Sequence, residues 1–201
     1  GGVYHVCREI LAPALIGKEI DSGETLQQQF SWVAGNFFAK GGLDAAWWDL
    51  QARRQSQPLW KLIGGTNQVI DVGADFGVQD SIDMLLGNIT GALDAGFKRI
   101  KLKYCPGWDV DMIAAVRSTF PDPVFHIDCN SGYTLDDLPM FKKLDQYNLA
   151  MIEQPLMRDD LVDHAELQRQ IETPICLDES ITSPEKAWRA IKIKAGRWIN
   201  I

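Results

Sequence analysis

The chain reads VFHIDCN at residues 124–130, LAMIEQP at 149–155 and PICLDES at 174–180. Each stretch is a short apolar run that ends in an acidic residue, and the three acids, Asp128, Glu153 and Asp178, are spaced 25 residues apart. When successive buried strands are separated by helices, such acids meet at one edge of a parallel sheet. Solvated strand-end acids or helix caps are the ordinary alternative, but the equal spacing favours one shared site. Three carboxylates suit Mg²⁺, with Mn²⁺ as the alternative ion.

Two lysines precede this series by one unit. The strand-like stretch RIKLKY carries Lys101 and Lys103, and Lys103 stands 25 residues before Asp128. Alternate residues of a strand share a face, so both lysines point to the same side. Paired lysines are common on solvent-facing edge strands, but a closed parallel barrel has no edge, so an inward pair indicates catalysis. A lysine base facing a divalent metal can take a proton from carbon beside a carboxylate. We therefore interpret Lys103 as the base and Lys101 as its electrostatic partner.

The chain changes character near Gly64 and Gly65. Before these glycines the patterns are helical, and after them strands alternate with amphipathic helices, which is typical of βαβ units. This change predicts a helical domain at residues 1–66 and a strand–helix domain at 67–201. The predicted strands lie near Val69–Gly77, Arg99–Tyr104, Val124–Cys129, Leu149–Glu153 and Pro174–Leu177, with a last one beginning at Trp198; the predicted helices are Ser81–Ala95, Val110–Phe120, Leu135–Tyr147, Leu161–Ile171 and Pro184–Ala195.

Two architectures fit this alternation, an open doubly wound sheet and a (β/α)₈ barrel. A barrel draws active-site residues from successive strand ends, whereas an open sheet gathers ligands at one switch point. The regular placement of the acids therefore favours the barrel. Five complete units and a sixth strand cannot close an eight-stranded barrel of about 250 residues, so we expect the chain to be part of a longer protein.

Strand parity suggests which neighbours belong to the same site. Asn130 shares a face with His126 and Asp128, so we include it as a supporting residue. His126 is expected to be a packed, hydrogen-bonded core residue in the layer below. Glu179 directly follows Asp178, and parity puts it on the opposite face. We keep Glu179 as a second supporting residue whose role is open.

The composition argues against several classes of partner. The chain is 46% apolar with a net charge of −7, so it can form a sizeable core and has no basic stripe for nucleic acid. No apolar run approaches the roughly 18 residues that a membrane span needs. The four cysteines are scattered, which is typical of reduced thiols in a cytoplasmic protein. No glycine-rich phosphate loop opens a helix, so nucleotide binding has no support.

The motifs KLK, DCN, IEQP and LDES, in this order behind a helical segment ending in LIGG, resemble the enolase superfamily in its muconate-lactonizing-enzyme subgroup. The stretches IKLKYCPGWD, DCNSGYTL and TPICLDESI are similar to members that act as o-succinylbenzoate synthases and N-succinylamino acid racemases. The resemblance covers essentially the whole chain. It implies that residues 1–66 are the helical part of a capping domain and that 67–201 are the first strands of an incomplete enolase-type barrel. It also implies roles for the residues singled out above: Asp128, Glu153 and Asp178 as Mg²⁺ ligands, Lys103 as acid/base and Lys101 as its partner.

The resemblance further implies a reaction, the removal of a proton α to a carboxylate through an enediolate. The first expectation is a carbon–oxygen lyase that makes o-succinylbenzoate by dehydration for menaquinone biosynthesis. N-succinylamino acid racemase and dipeptide epimerase are the alternatives. The expected partner is a small anionic carboxylate substrate, and we expect a homo-oligomer. The second catalytic lysine of the family would fall just beyond Ile201. A truncated, non-catalytic relative that acts as a binding module is the rival hypothesis.

Overall fold

A computed structural model of the chain describes residues 1–67 and 69–201. The chain divides into two compact units, Gly1–Ile70 and Asp71–Ile201, each with its own apolar core. The predicted domain boundary, between residues 66 and 67, falls shortly before this division, and Gln68 of the predicted second domain lies outside the described residues. Within the described ranges, no helix combines the length and the apolar character that crossing a bilayer requires.

The first unit is helical, as its sequence pattern predicts. Its elements are α1 (Gly2–Val6), a π-helical turn (Cys7–Leu11), a 3₁₀ turn (Pro13–Leu15), α2 (Gly23–Gln29), α3 (Phe37–Arg54) and α4 (Leu59–Leu62). Helix α2 begins at a capping serine, because Ser22 Oγ accepts a hydrogen bond from the backbone N–H of Thr25 at 3.0 Å. The buried side chains of Leu11, Leu26 and Phe30 form the centre of this unit's core.

The second unit is a parallel sheet whose strands are connected by helices. The strands are β1 (Ala74–Phe76), β2 (Arg99–Lys103), β3 (Val124–Asp128), β4 (Ile152–Glu153), β5 (Ile175–Leu177) and β6 (Trp198–Ile199). The helices are α5 (Ile82–Asp94), α6 (Asp109–Thr119), α7 (Leu138–Leu144, between 3₁₀ turns at Leu135–Asp137 and Asp145–Tyr147), α8 (Leu161–Gln170) and α9 (Pro184–Ile193). Each strand pairs in parallel with the next one in sequence, from β1 to β6. A doubly wound sheet would reverse its strand order at a switch point, so this order confirms the barrel-type prediction.

The register of β2 and β3 gives the sheet two different faces. Ile100 pairs with Phe125 and Leu102 with Ile127, and all four side chains are buried in the core shared with the helices. The alternate positions of the same strands are polar, as the two-residue period of a strand requires. These polar positions are Lys101, Lys103, His126 and Asp128, with Lys101 opposite His126 and Lys103 opposite Asp128.

The first predicted strand is much shorter than expected, and the strand predicted at Leu149–Glu153 is likewise reduced to Ile152–Glu153. The pattern predicts a strand at Val69–Gly77, but only Ala74–Phe76 pairs with β2. The apolar side chains before this segment remain exposed, at 85% for Val69 and 76% for Ile70. An apolar, β-branched run favours a strand only where a neighbouring strand covers it, and none does so at these two residues.

Candidate metal and acid–base site

The candidate site lies at the carboxyl ends of strands β2 to β5. In the sheet register, Lys103 pairs with Asp128, Asp128 with Glu153, and Glu153 with Cys176. The sheet itself therefore aligns three of the predicted site residues at one edge. Asp178 stands two residues beyond Cys176, past the end of β5, so the following loop rather than strand pairing determines its position.

Two lysines and two buried acids form one ion-paired group, which we call the strand-end cluster: Lys101, Lys103, Asp128 and Glu153. Lys101 Nζ lies 2.8 Å from Asp128 Oδ2 and 2.9 Å from Glu153 Oε2, and Lys103 Nζ lies 2.6 Å from Asp128 Oδ2. The side chains of both acids are only 1% exposed. The ammonium groups therefore compensate negative charges that water cannot reach.

Burial and ion pairing oppose each other in this cluster. Burial alone would raise the pKa of Asp128, but hydrogen bonds from Lys101 and Lys103 outweigh it and lower that pKa. Glu153 also contacts Lys101, yet burial and the nearby charge of Asp128 leave the pKa of Glu153 raised. Burial lowers the pKa of Lys101, but its hydrogen bonds to the two acids reverse this effect and raise that pKa well above its usual value. Lys101 therefore stays protonated and acts as a fixed positive charge.

A third carboxylate, that of Asp178, lies on the loop after β5, outside the strand-end cluster. Burial is the main cause that raises the pKa of Asp178, and the charge of Glu179 is the second. Among residues 1–67 and 69–201, no three acidic, histidine or cysteine side chains lie close enough together to hold one metal ion. The donor chemistry nevertheless fits Mg²⁺, since one cationic group, Lys101 Nζ, already contacts oxygens of both Asp128 and Glu153. The assignment of all three acids as ligands stays a prediction.

A second chain of hydrogen bonds leads from Lys103 to Glu179. Lys103 Nζ donates to Asn130 Oδ1 at 2.7 Å, and Asn130 Nδ2 donates to Glu179 Oε1 at 2.9 Å. Asn130 has a φ of 42°, a left-handed conformation that asparagine tolerates better than most residues. Parity puts Glu179 on the face opposite Asp178, yet its side chain reaches Asn130, because β5 ends at Leu177 and the period of a strand does not continue into the loop.

His126 lies beneath the cluster, opposite Lys101 in the register. Its burial, with 4% of the residue exposed, lowers the pKa of its imidazole to about 4, so it is neutral near pH 7. The prediction of a core residue is confirmed. The predicted hydrogen bonding is not observed in the described part of the chain, because His126 Nδ1 is buried without a partner and Nε2 lies 3.9 Å from Glu153 Oε2, too far for a hydrogen bond.

Two residues that contact the site are absent from the sequence-based prediction. Asn200, directly after β6, donates from Nδ2 to Glu153 Oε1 at 3.0 Å. Gln154, directly after β4, accepts at Oε1 a hydrogen bond of 3.0 Å from the backbone N–H of Asp178. Both follow the end of a strand, which is the signal that could have identified them. A search for charged groups passes over them because both side chains are neutral amides.

Comparison with known proteins identifies the family to which this fold belongs. Residues 86–201 match the family described as Enolase C-terminal domain-like, and residues 2–64 match the family described as Mandelate racemase / muconate lactonizing enzyme, N-terminal domain. The chain therefore belongs to the enolase superfamily, in the group of mandelate racemases and muconate-lactonizing enzymes.

Two curated relatives carry different activities in their names. The chain is 42% identical over 200 residues to an N-succinylamino acid racemase of Thermus thermophilus, a match that covers 100% of this chain and 54% of the relative. It is 46% identical over 198 residues to an o-succinylbenzoate synthase of Geobacillus kaustophilus, covering 98% of this chain and 53% of the relative. The chain thus spans about half the length of the curated relatives it matches.

Solved structures agree in fold. A member of the enolase superfamily from Listeria innocua matches with a TM-score of 0.91 at 40% identity, covering 100% of this chain and 54% of the other. A racemase from Streptomyces coelicolor with bound magnesium matches with a TM-score of 0.89 at 27% identity, covering 97% of this chain and 58% of the other.

Proposed function

We propose that this chain is part of an enzyme that uses Mg²⁺ to remove a proton α to the carboxylate of a small anionic substrate. The observation that carries the proposal is the strand-end cluster, in which two lysines and two buried acids share one sheet edge with a third carboxylate on the next loop. A structural ion-pair network would not require a partly exposed lysine beside the buried charges. The side chain of Lys103 is 31% exposed, so a substrate can reach it.

Lys103 is the proposed base. Its Nζ is held from two sides by Asp128 Oδ2 and Asn130 Oδ1, at 2.6 and 2.7 Å, so its direction is fixed before substrate arrives. Lys101 is less exposed, at 20%, and its raised pKa keeps it charged. As a proton leaves carbon, negative charge develops on the substrate, and the fixed charge of Lys101 stabilises that charge.

Asp128, Glu153 and Asp178 are the proposed ligands of Mg²⁺, with Mn²⁺ as the alternative. When bound, the ion would supply concentrated positive charge where the substrate becomes an enediolate. The magnesium bound in the Streptomyces coelicolor racemase supports this choice of ion. Asn200, which contacts Glu153, orients the glutamate that would be the middle ligand of the three.

The first choice of reaction is dehydration to o-succinylbenzoate in menaquinone biosynthesis, supported by the Geobacillus relative. Racemisation of an N-succinylamino acid is the alternative, supported by the Thermus relative, and dipeptide epimerisation ranks below both. The two main reactions share the abstraction step; in dehydration the enediolate then expels a β-hydroxyl group, and in racemisation its α-carbon is reprotonated from the opposite face. A non-catalytic binding module is the rival proposal, and a cytoplasmic homo-oligomer remains the expected form of the protein.

The test follows the complete protein with Mg²⁺ and the cyclohexadiene precursor of o-succinylbenzoate. Decay of the diene absorbance should require the metal and stop when a chelator is added. Lys103→Ala should lower turnover by about 100-fold or more while Mg²⁺ binding is retained. Lys142→Ala is the matched control, because Lys142 lies on α7 and contacts only the exposed Gln170 among its hydrogen bonds in the described residues. Its turnover should stay within about twofold of the wild type.

Each outcome separates the proposals. Metal-dependent decay that survives Lys103→Ala would remove Lys103 as the base. No decay, together with exchange of the α-proton of an N-succinylamino acid for deuterium, would establish the racemase instead. Neither activity, with intact metal binding, would favour the binding module. Separately, Glu153→Gln should weaken Mg²⁺ binding and abolish turnover, and an unchanged metal titration would exclude Glu153 as a ligand.

A further inference from the structure

Gln154 is the most completely enclosed polar residue next to the site. It follows Glu153 directly, and none of its surface is exposed. Its φ is 38°, in the left-handed region that non-glycine residues seldom adopt. Such a conformation costs free energy and persists only where surrounding contacts hold it. The contacts of Gln154 are therefore expected to be strong.

The side-chain amide of Gln154 uses its full hydrogen-bonding capacity. Oε1 accepts from the backbone N–H groups of Asp178 and Ser180, at 3.0 and 3.1 Å. Nε2 donates to Leu156 O at 3.1 Å and to Ser180 Oγ at 2.8 Å. An amide offers two acceptor sites and two hydrogens, so no capacity is left over. Most of this capacity is directed at the loop that follows β5.

The backbone of Gln154 joins two more segments of the same sheet edge. Its N–H donates to Cys176 O at 2.8 Å, and its carbonyl accepts from the N–H of Ser131 at 2.8 Å. Gln154 thus connects the loops after β3, β4 and β5. These loops and strand ends carry Asn130, Glu153 and Asp178.

His164 supports this arrangement from helix α8. It is fully buried, its Nε2 accepts from the backbone N–H of Leu156 at 3.3 Å, and its Nδ1 hydrogen-bonds to Asp160 O. The same ring lies 3.5 Å from Gln154 Nε2 and closes the remaining side of the amide. The rotamer of Gln154 is therefore held by packing as well as by its own hydrogen bonds.

We propose that Gln154 is a positioning residue that fastens the loop carrying Asp178 beside Glu153, so that both carboxylates can turn toward one divalent ion. Asp178 lies beyond the end of β5, so the strand ladder cannot place it, and its N–H is bonded to Gln154 instead. This inference rests on the proposed function, because it takes Asp178 and Glu153 to be ligands. Partners that orient metal ligands commonly affect metal affinity although they never touch the ion.

The chain contains a matched control for this proposal at the opposite end of β5. Gln168 is 7% exposed, its Oε1 accepts from the N–H of Ile175 at 2.7 Å, and its Nε2 donates to Thr173 O at 3.2 Å. Gln154 and Gln168 are thus buried glutamines that fasten the two ends of β5, and only Gln154 adjoins the predicted ligands. If the role of Gln154 is purely structural, replacing Gln154 or Gln168 should have the same effect on metal affinity.

The experiment measures binding of Mn²⁺ to the complete, metal-free protein by the electron paramagnetic resonance signal of the free ion. Gln154→Met keeps the side-chain length and removes the amide, and Gln168→Met does the same at the control position. We expect Gln154→Met to raise the Kd for Mn²⁺ by about 10-fold or more and Gln168→Met to change it by less than about twofold. Thermal unfolding followed by circular dichroism should show comparable losses of stability for both variants.

Asp178→Asn distinguishes a failure of the proposed function from a failure of the positioning role. It removes a proposed ligand and leaves the backbone N–H that bonds to Gln154. If Asp178→Asn leaves the Mn²⁺ affinity unchanged, the ligand assignment in the proposed function is wrong. If Asp178→Asn weakens binding but Gln154→Met matches Gln168→Met, the positioning role is overturned and the metal site stands. Should Gln154→Met not fold, Ser180→Ala removes one acceptor of Nε2; a weakened Mn²⁺ affinity supports the role, and a wild-type affinity overturns it.

Discussion

Replacing Arg117 by methionine should destabilise the second unit by about 3 kcal/mol. Arg117 lies near the end of α6, and its guanidinium donates to the carbonyls of the two segments that lead into β3 and β4. Its Nη1 lies 3.0 Å from Pro121 O and 2.9 Å from Pro123 O, its Nε lies 2.9 Å from Tyr147 O, and its Nη2 lies 3.1 Å from Asn148 O. Methionine retains the apolar stem but makes none of these bonds.

The expected magnitude follows from the number and the setting of these bonds. Four close hydrogen bonds at a net value of about 1 kcal/mol each would give about 4 kcal/mol. The site is only partly buried, so water can reach some of the freed carbonyls and reduce the loss to about 3 kcal/mol. The guanidinium also lies 4.9 Å from the ring centroid of Phe125, a contact whose loss adds to the effect.

Urea unfolding followed by far-UV circular dichroism measures this change, with Arg169→Met as the matched control. Arg169 lies on α8, its side chain is 64% exposed, and it pairs with Glu166 one turn away. Such a surface pair contributes about 0.5 kcal/mol or less. If Arg117→Met costs no more than Arg169→Met, the carbonyl-bridging role of Arg117 is refuted.

Three further outcomes are expected. Asn130→Ala removes the acceptor that holds Lys103 and should lower turnover by about 10- to 100-fold, while Mn²⁺ affinity stays within about threefold; a parallel loss of both would contradict a role specific to the base. Burial lowers the pKa of His164 despite its hydrogen bond to the carbonyl of Asp160. The imidazole of His164 therefore binds a proton at a higher pH in the unfolded chain than in the folded one, so the free energy of unfolding should fall as the pH drops below about 6.5. Melting curves at pH 7 and pH 5 should show a smaller decrease in melting temperature for His164→Gln than for the wild type. Ser81 caps α5 through the N–H of Met84 at 3.1 Å, so Ser81→Ala should cost about 1 kcal/mol in urea unfolding and Ser81→Gly only a few tenths.

The sequence predicts the second unit well wherever its elements follow a local pattern. The strand predicted at Val124–Cys129 is observed at Val124–Asp128, and the helix predicted at Leu161–Ile171 is observed at Leu161–Gln170. The start of a helix is also determined by nearby residues: Ser183 Oγ accepts a hydrogen bond from the N–H of Lys186 at 3.3 Å at the start of α9. The strands predicted at Val69–Gly77 and Leu149–Glu153 are observed only at Ala74–Phe76 and Ile152–Glu153, because the extent of a strand depends on a partner strand that the local pattern cannot reveal.

The candidate site divides along the same line. Lys101, Lys103 and Asp128 lie on strands, so alternation alone predicts that they share a face, and the structure brings them into contact. Glu179 and Gln154 lie on loops, where no period applies and where hydrogen bonds from other segments determine the side-chain direction. The sequence therefore predicts the charged groups that lie on strands, and it does not predict the loop contacts of Glu179 and Gln154.

The strictly sequential pairing of the strands also bears on how the chain folds. Each strand from β2 to β6 pairs with the strand one strand–helix unit before it, so within these six strands none waits for a distant segment. The pairing of β2 with β3 has the longest register, five residues, and is where we expect the sheet to start. During synthesis each later strand can add to an existing edge as it leaves the ribosome, in the order in which it is translated. The ion pairs of the strand-end cluster can then form one after another, as each new strand is added to the sheet.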